Sequence, residues 1–128
     1  VAHGTFAKKS GTVTSYLEED EDYVIHSSQD SAKGKLSHTE YTVLKETGKF
    51  SLLKINLLTG RKNQIRVHMA DEGHPVVGDD KYGKGFPKFA RLALHARSIE
   101  FSHPFSQKRL TFETQVPDHF RKLVDYAY

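Results

Sequence analysis

The side chains best suited to chemistry are concentrated in one short segment, residues 59–66, which reads TGRKNQIR. The segment lies where an apolar run, predicted to be a strand, passes into a helical pattern, and loops at strand ends often carry sites because a rigid scaffold positions them. Gly60 permits a tight turn, and the first turn of the helix offers free backbone N–H groups to an anion such as phosphate. Arg61, Lys62 and Gln64 add charge and hydrogen-bond donors suited to an RNA backbone or base edge.

Arg66 differs from these residues because its side chain comes from within the predicted helix rather than from the turn. A guanidinium in that position could hold a carboxylate through two parallel hydrogen bonds. A surface helix that carries solvated basic residues would show the same spacing, so the pattern by itself leaves both interpretations open.

The histidines do not predict a metal site. His68 and His74 flank Asp71 and Glu72, but this spacing fits no common zinc pattern, and the chain has no cysteine. We therefore expect no bound metal. His95 lies in an apolar stretch and is expected to be a core residue, whereas His68 lies on the candidate helix and stays a candidate for the site.

The motif continues well beyond this first segment. Residues 59–83 read TGRKNQIRVHMADEGHPVVGDDKYG, which resembles the hallmark T-G-R-x-H-Q-I-R-V-H-x-A-x-x-G-H-P-I-x-G-D-x-x-Y-G of the RluA-type pseudouridine synthases. Residues 91–96 (RLALHA) and 101–104 (FSHP) are similar to two further segments of that family, and residues 1–4 (VAHG) resemble the end of its Y-x-A-x-V-x-G strand. The resemblance spans nearly the whole chain.

The resemblance implies an enzyme that isomerises uridine in RNA to pseudouridine without a cofactor or a metal. In the family an Asp from an H-R-L-D motif performs the essential step, a Tyr assists at carbon 5, and an Arg of the hallmark helix pairs with the Asp. Arg66 matches that Arg, and Ile65 matches the apolar residue beside the uracil ring. The predicted RNA contacts are Arg61, Lys62, Asn63, Gln64 and His68, and Asn63 replaces the family's usual His.

The family's nucleophile is not in this sequence, because no H-R-L-D occurs in it. We therefore expect a buried Arg66 whose acidic partner the chain does not supply, and no synthase activity from this polypeptide alone. Truncation of an active synthase is the simplest explanation. The alternatives are a non-catalytic RNA-binding module derived from that fold and a structural domain whose basic face is incidental. Asp79 is expected to orient its loop rather than to act as a nucleophile.

Hydrophobic periodicity predicts strands and helices, which together indicate an α+β protein with a mixed, mostly antiparallel sheet. The resemblance implies that this is the C-terminal portion of a pseudouridine synthase catalytic domain. The second strand of the central hairpin, 50–58, is apolar on both faces, and both are expected to be covered. The predicted elements are strands 11–19 and 23–26, a mobile loop 27–34, a hairpin of strands 36–47 and 50–58, a helix 63–72, a loop 76–85, a strand 91–101, a turn 103–107, a strand 108–114 and a helix 118–126.

Length and composition limit the remaining possibilities. A chain of 128 residues is expected to form a single domain, 1–128. It has no apolar run long enough to cross a membrane and no pattern of a signal peptide, and with no cysteine it fits the cytoplasm. The net charge of +3 favours an acidic partner. The resemblance implies that this partner is RNA, either rRNA or tRNA. An incomplete sheet would leave an open edge, so self-association through that edge is expected.

Overall fold

The computed structural model describes residues 1–124 of the chain. An antiparallel sheet of five strands, in the order β1-β5-β4-β2-β3, forms the body, and β6 and β7 form a separate two-stranded sheet. The α+β class is confirmed, and every strand pair within residues 1–124 is antiparallel. The elements are β1 Ala2–His3, β2 Ser10–Glu19, β3 Ile25–Ser28, β4 Lys35–Glu46, β5 Phe50–Leu57, α1 Gln64–Asp71, β6 Ser98–Ser102, β7 Arg109–Glu113 and α2 Asp118–Val124.

Helix α1 lies across one face of the sheet and buries it. Strand β2 alternates as predicted, because Val13, Ser15 and Leu17 are buried and the residues between them are more exposed. Val67 and Met69 of α1 pack against this face. A second cluster of buried apolar residues joins the N-terminus to the C-terminal helix: Val1, Leu52, Val77, Ala93, Phe120 and Val124. None of the helices among residues 1–124 is long and apolar enough to span a membrane.

The prediction for β5 is only half correct. The strand lies between β1 and β4, and Ser51 and Leu52 are buried, but Leu57 and the following Leu58 are exposed. The reason is that β1 has two residues and pairs only with the start of β5. The strand's second half therefore has a neighbour on the β4 side alone within the described part of the chain.

Two other strands differ from their predicted bounds. The predicted strand 23–26 begins later, at Ile25, because Tyr23 has a positive φ of 61°. The predicted strand 91–101 is regular only from Ser98 to Ser102. Residues 91–97 run along the body instead, where the Ala93 N–H donates to the Val77 carbonyl at 2.8 Å. The predicted helix 118–126 is confirmed through Val124, and its last two residues lie outside the described part.

Candidate active site

The side chain of Gln64 shapes the turn that precedes α1. Its Oε1 accepts hydrogen bonds from the Thr59 hydroxyl at 2.8 Å and from the Arg61 N–H at 3.0 Å. Its Nε2 donates to the His38 carbonyl at 2.9 Å and to the Thr39 hydroxyl at 2.8 Å. Gln64 is 2% exposed, so its side chain faces the interior here and its contact with RNA stays a prediction. A buried amide must satisfy its donors and acceptors, and this one does so by bracing the turn.

The same turn leaves three of the predicted RNA-contacting residues at or near the surface. Arg61 and Lys62 are exposed, and Asn63 is half-buried with a left-handed backbone, at φ 54°. Arg61 Nε donates to the Leu36 carbonyl at 3.1 Å, and Lys62 forms an ion pair with Glu19. These contacts hold both cations beside a cleft of about 510 Å³ that Arg61 and Lys62 help to line.

His68 lies in the interior rather than on an RNA-facing surface. It is 0% exposed, with its Nε2 at 2.9 Å from the Ser15 hydroxyl and its Nδ1 at 2.7 Å from the Thr39 hydroxyl. Burial lowers the pKa of His68, which favours the neutral ring. The ring links β2, β4 and α1 from inside, and a contact of His68 with RNA stays a prediction.

Arg66 is paired within the chain. Its Nε donates to Asp79 Oδ2 at 2.9 Å and its Nη2 donates to Asp79 Oδ1 at 2.7 Å. The Asp79 side chain is 0% exposed and that of Arg66 is 20% exposed. The expectation that the chain does not supply an acidic partner for Arg66 is corrected here, since Asp79 fills that role. Nothing in the spacing of residues 66 and 79 could have indicated the contact, which depends on how the loop folds back.

The loop that carries Asp79 is organised by the same carboxylate. Oδ1 also accepts the backbone N–H groups of Lys81 at 3.1 Å and Tyr82 at 3.0 Å, so Asp79 orients its loop as predicted. The Tyr82 ring centroid lies 5.3 Å from the Arg66 guanidinium carbon, and its hydroxyl accepts the Ile25 N–H at 3.0 Å. Tyr82 was not identified from the sequence as a partner of the guanidinium.

The charges of this pair are mutually stabilised. Burial by itself would raise the pKa of Asp79, but the hydrogen bonds from Arg66 and from the Tyr82 N–H outweigh burial and hold the pKa below its usual value. The hydrogen bond to Asp79 raises the pKa of Arg66 further, against the effect of burial. Both groups are ionised at neutral pH, so they form an ion pair without net charge between α1 and the loop that follows it.

Ile65 points to a different surface. It packs with the apolar residues Leu53, Ile55 and Met69 and lines a wide groove on the sheet. The structure therefore places the predicted uracil-pocket residue on the sheet side of α1 and Arg66 on the loop side. Among residues 1–124, no group of three or more His, Cys, Asp or Glu side chains is arranged to hold a metal ion.

Comparison with known proteins identifies the family of this chain. Residues 1–71 match the family described as RNA pseudouridylate synthase. The chain belongs to this family. A structure of human RNA pseudouridylate synthase domain containing 1 superimposes with a TM-score of 0.75 at 25% identity, covering 89% of this chain and 51% of that chain. The α+β architecture is thus the fold of pseudouridylate synthase domains.

Curated members of the family are more similar in sequence. An uncharacterized RNA pseudouridine synthase of Bacillus subtilis, YjbO, is 33% identical over 97% of this chain and 44% of its own length. The ribosomal large subunit pseudouridine synthase D of Nitrosomonas europaea is 39% identical over 71% of this chain and 29% of its own length. The chain therefore spans less than half of the curated relatives that it matches.

Proposed function

We propose that the protein to which these residues belong isomerises uridine to pseudouridine in RNA, and that this chain contributes the guanidinium of its active site. Family membership supports the reaction. The observation that carries the role of this chain is the half-buried Arg66, which Asp79 holds through two hydrogen bonds and whose Nη1 has no hydrogen-bond partner within residues 1–124.

The geometry of Arg66 suits a second carboxylate. A guanidinium carries five N–H donors, and Asp79 engages one on Nε and one on Nη2. The Nη1–Nη2 edge keeps donors for another bidentate contact. We propose that this edge holds the nucleophilic aspartate that the family resemblance implies, and that the positive charge keeps that aspartate ionised for attack. No H-R-L-D aspartate is among these 128 residues.

The exposed cations of the turn before α1 support RNA as the substrate. Arg61 and Lys62 can contact phosphates, which fixes the position of the RNA without reading its sequence. Several relatives are named ribosomal large subunit pseudouridine synthases, so we propose rRNA as the substrate, with tRNA as the alternative that the experiment separates. We propose the cytoplasm as the location, since the chain has no cysteine.

The test is a map of pseudouridine in cells. RNA from a strain with the gene disrupted is treated with a carbodiimide that marks pseudouridine, and reverse-transcription stops are compared with those of the intact strain. Loss of one or a few stops in rRNA is expected, and restoration of the intact gene returns them while the gene carrying Arg66→Ala does not. An unchanged map in both rRNA and tRNA would overturn the proposed reaction, and full restoration by Arg66→Ala would overturn the role of Arg66.

The chain alone provides a second measurement. With RNA that carries tritium at carbon 5 of uridine, the 128-residue polypeptide is expected to release no tritium, because the nucleophile is absent from its sequence. If the whole gene product also binds RNA but releases no tritium, the result would favour the non-catalytic RNA-binding module.

A further inference from the structure

The positive charge of this protein is concentrated in one segment, residues 81–99. It carries Lys81, Lys84, Lys88, Arg91 and Arg97 and no Asp or Glu. The chain has 19 Lys and Arg against 16 Asp and Glu, so the other residues carry 14 basic against 16 acidic side chains, a net charge of −2. The whole net positive charge of the molecule therefore comes from this segment, and it is a candidate surface for a polyanion.

Two phenylalanines of the segment lie on a rigid aromatic base. The ring centroid of His3, which is buried in β1, is 5.0 Å from that of Phe86 and 5.9 Å from that of Phe89. Phe50, at the start of β5, lies 5.8 Å from both His3 and Phe89. Phe86 and Phe89 are still 41% and 39% exposed, so each ring contacts His3 and also remains partly open to solvent.

Cations that are free to reach a ligand alternate with these rings. Lys84 and Lys88 are exposed and form no ion pair among residues 1–124, in contrast to Lys62, which is paired with Glu19. Aromatic faces for stacking and nearby cations for the backbone are the two components by which proteins hold single-stranded nucleic acid. A duplex offers no free base face to such rings, and an apolar protein partner would gain nothing from the interleaved lysines.

The segment is also joined tightly to the candidate active site. The Gly83 N–H donates to the Asp79 carbonyl at 3.1 Å, and the Phe86 N–H donates to the Gly83 carbonyl at 3.2 Å. Two successive turns therefore connect the partner of Arg66 to the exposed rings. A nucleotide stacked on these rings would belong to the same RNA strand as the one that presents its uridine to the site.

We infer that Phe86 and Phe89, flanked by Lys84 and Lys88, form a stacking platform for an unpaired nucleotide of the substrate RNA. This inference rests on the proposed function and adds a second contact surface to it. The platform favours single-stranded RNA over duplex RNA and tolerates any base, because each base has a face to stack.

The experiment measures binding of a fluorescein-labelled RNA oligonucleotide to the chain by anisotropy, once as a single strand and once as a duplex. Phe86→Leu/Phe89→Leu keeps apolar volume and removes the stacking faces, so affinity for the single strand is expected to fall about tenfold. Lys88→Gln is expected to lower the slope of log affinity against log salt by about 0.7. The matched controls, Phe105→Leu and Lys108→Gln, change exposed residues outside the platform and are expected to leave affinity and slope unchanged.

The outcomes separate this inference from the proposed function. Circular dichroism melting checks that each variant stays folded, and Lys88→Gln changes only an exposed side chain. Four outcomes would each overturn the platform. The first two are wild-type affinity for the single strand in Phe86→Leu/Phe89→Leu and an equal loss of affinity in Phe105→Leu. The other two are an equal loss of affinity for the duplex and no RNA binding by the unchanged chain. The pseudouridine map in cells decides the proposed function independently of all four.

Discussion

The polar residues of the motif divide into two groups according to where their side chains lie. Gln64 and His68 are buried and hydrogen-bonded, whereas Arg61 and Lys62 are exposed. A hydrogen-bonding side chain serves equally well to bind a ligand or to satisfy the interior, so residue type alone does not separate the two uses. Arg66 belongs to both groups, since one edge of its guanidinium is engaged by Asp79 and Nη1 is free within residues 1–124.

Replacement of His68 tests its interior role. His68→Ala removes one hydrogen bond from each of the hydroxyls of Ser15 and Thr39 and opens a cavity, so the free energy of unfolding is expected to fall by about 3 kcal/mol. Urea denaturation measures this loss. His26→Ala, at an exposed hydrogen bond with Asp20, is the matched control and is expected to change stability by less than about 1 kcal/mol. An unchanged midpoint for His68→Ala would contradict the interior role.

Replacement of Asp79 tests the ion pair. Asp79→Asn keeps an oxygen for the N–H groups of Lys81 and Tyr82 but leaves the charge of Arg66 unpaired, so stability is expected to fall by about 3 kcal/mol. Asp80→Asn, at the exposed neighbouring residue, is the control and is expected to change the free energy of unfolding little. Because the pKa of Asp79 is lowered, the pair stabilises the fold above the unfolded value of 3.8 and loses its effect as the pH falls through the folded value.

The pH series provides a further check on Asp79. The difference between the unchanged chain and Asp79→Asn in urea denaturation is expected to be constant from neutral pH down to about pH 5 and to shrink only in stronger acid. A difference that already disappears near neutral pH would show that the carboxylate is not the charged partner of Arg66.

Among the elements, the loop after α1 packs closely on the backbone of Arg91 at Gly78. Gly78 has φ +83°, and a Cβ there would lie 2.1 Å from the Arg91 carbonyl oxygen. Gly85 has nearly the same backbone, φ +89°, but a Cβ would meet nothing within 4 Å. The two glycines therefore separate the cost of the backbone conformation from the cost of a close approach.

Alanine substitutions at these positions make the comparison. Gly85→Ala is expected to lower the free energy of unfolding by about 1 kcal/mol, because a residue with a Cβ is strained in the left-handed conformation. Gly78→Ala introduces the same backbone strain and also pushes the loop away from residues 91–93. The free energy of unfolding is therefore expected to fall by about 3 kcal/mol or more. Thermal melting followed by circular dichroism measures both. Equal midpoints for the two variants would refute the close packing of the loop on this segment.

The two-stranded sheet of β6 and β7 contrasts with this tight packing. The rings of Phe101 and Phe112 stack with centroids 5.9 Å apart, and Ile99 and Phe112 are more than half exposed. An isolated hairpin is marginally stable in water, and apolar side chains that remain exposed can associate.

For the molecule as a whole, the open edge of β5 and these exposed side chains predict self-association. Sedimentation velocity is expected to show a weight-average mass that rises with concentration. Leu57→Lys places a charge on the open strand and is expected to weaken association, whereas Leu44→Lys on β4, at a side chain of similar exposure, is the control. A single monomeric species at all concentrations would contradict this prediction.

The amino-acid sequence by itself determined the family, the central hairpin of β4 and β5, helix α1 and the loop that follows it. Periods of two and of 3.6 residues are local signals, and the motif at 59–83 is long enough to specify one family. Only the tertiary structure decided that Asp79 pairs with Arg66, that Gln64 and His68 face inward, and that half of β5 is uncovered. These features depend on which distant segments meet. A short window of sequence therefore cannot predict which side chains become buried or which charges pair.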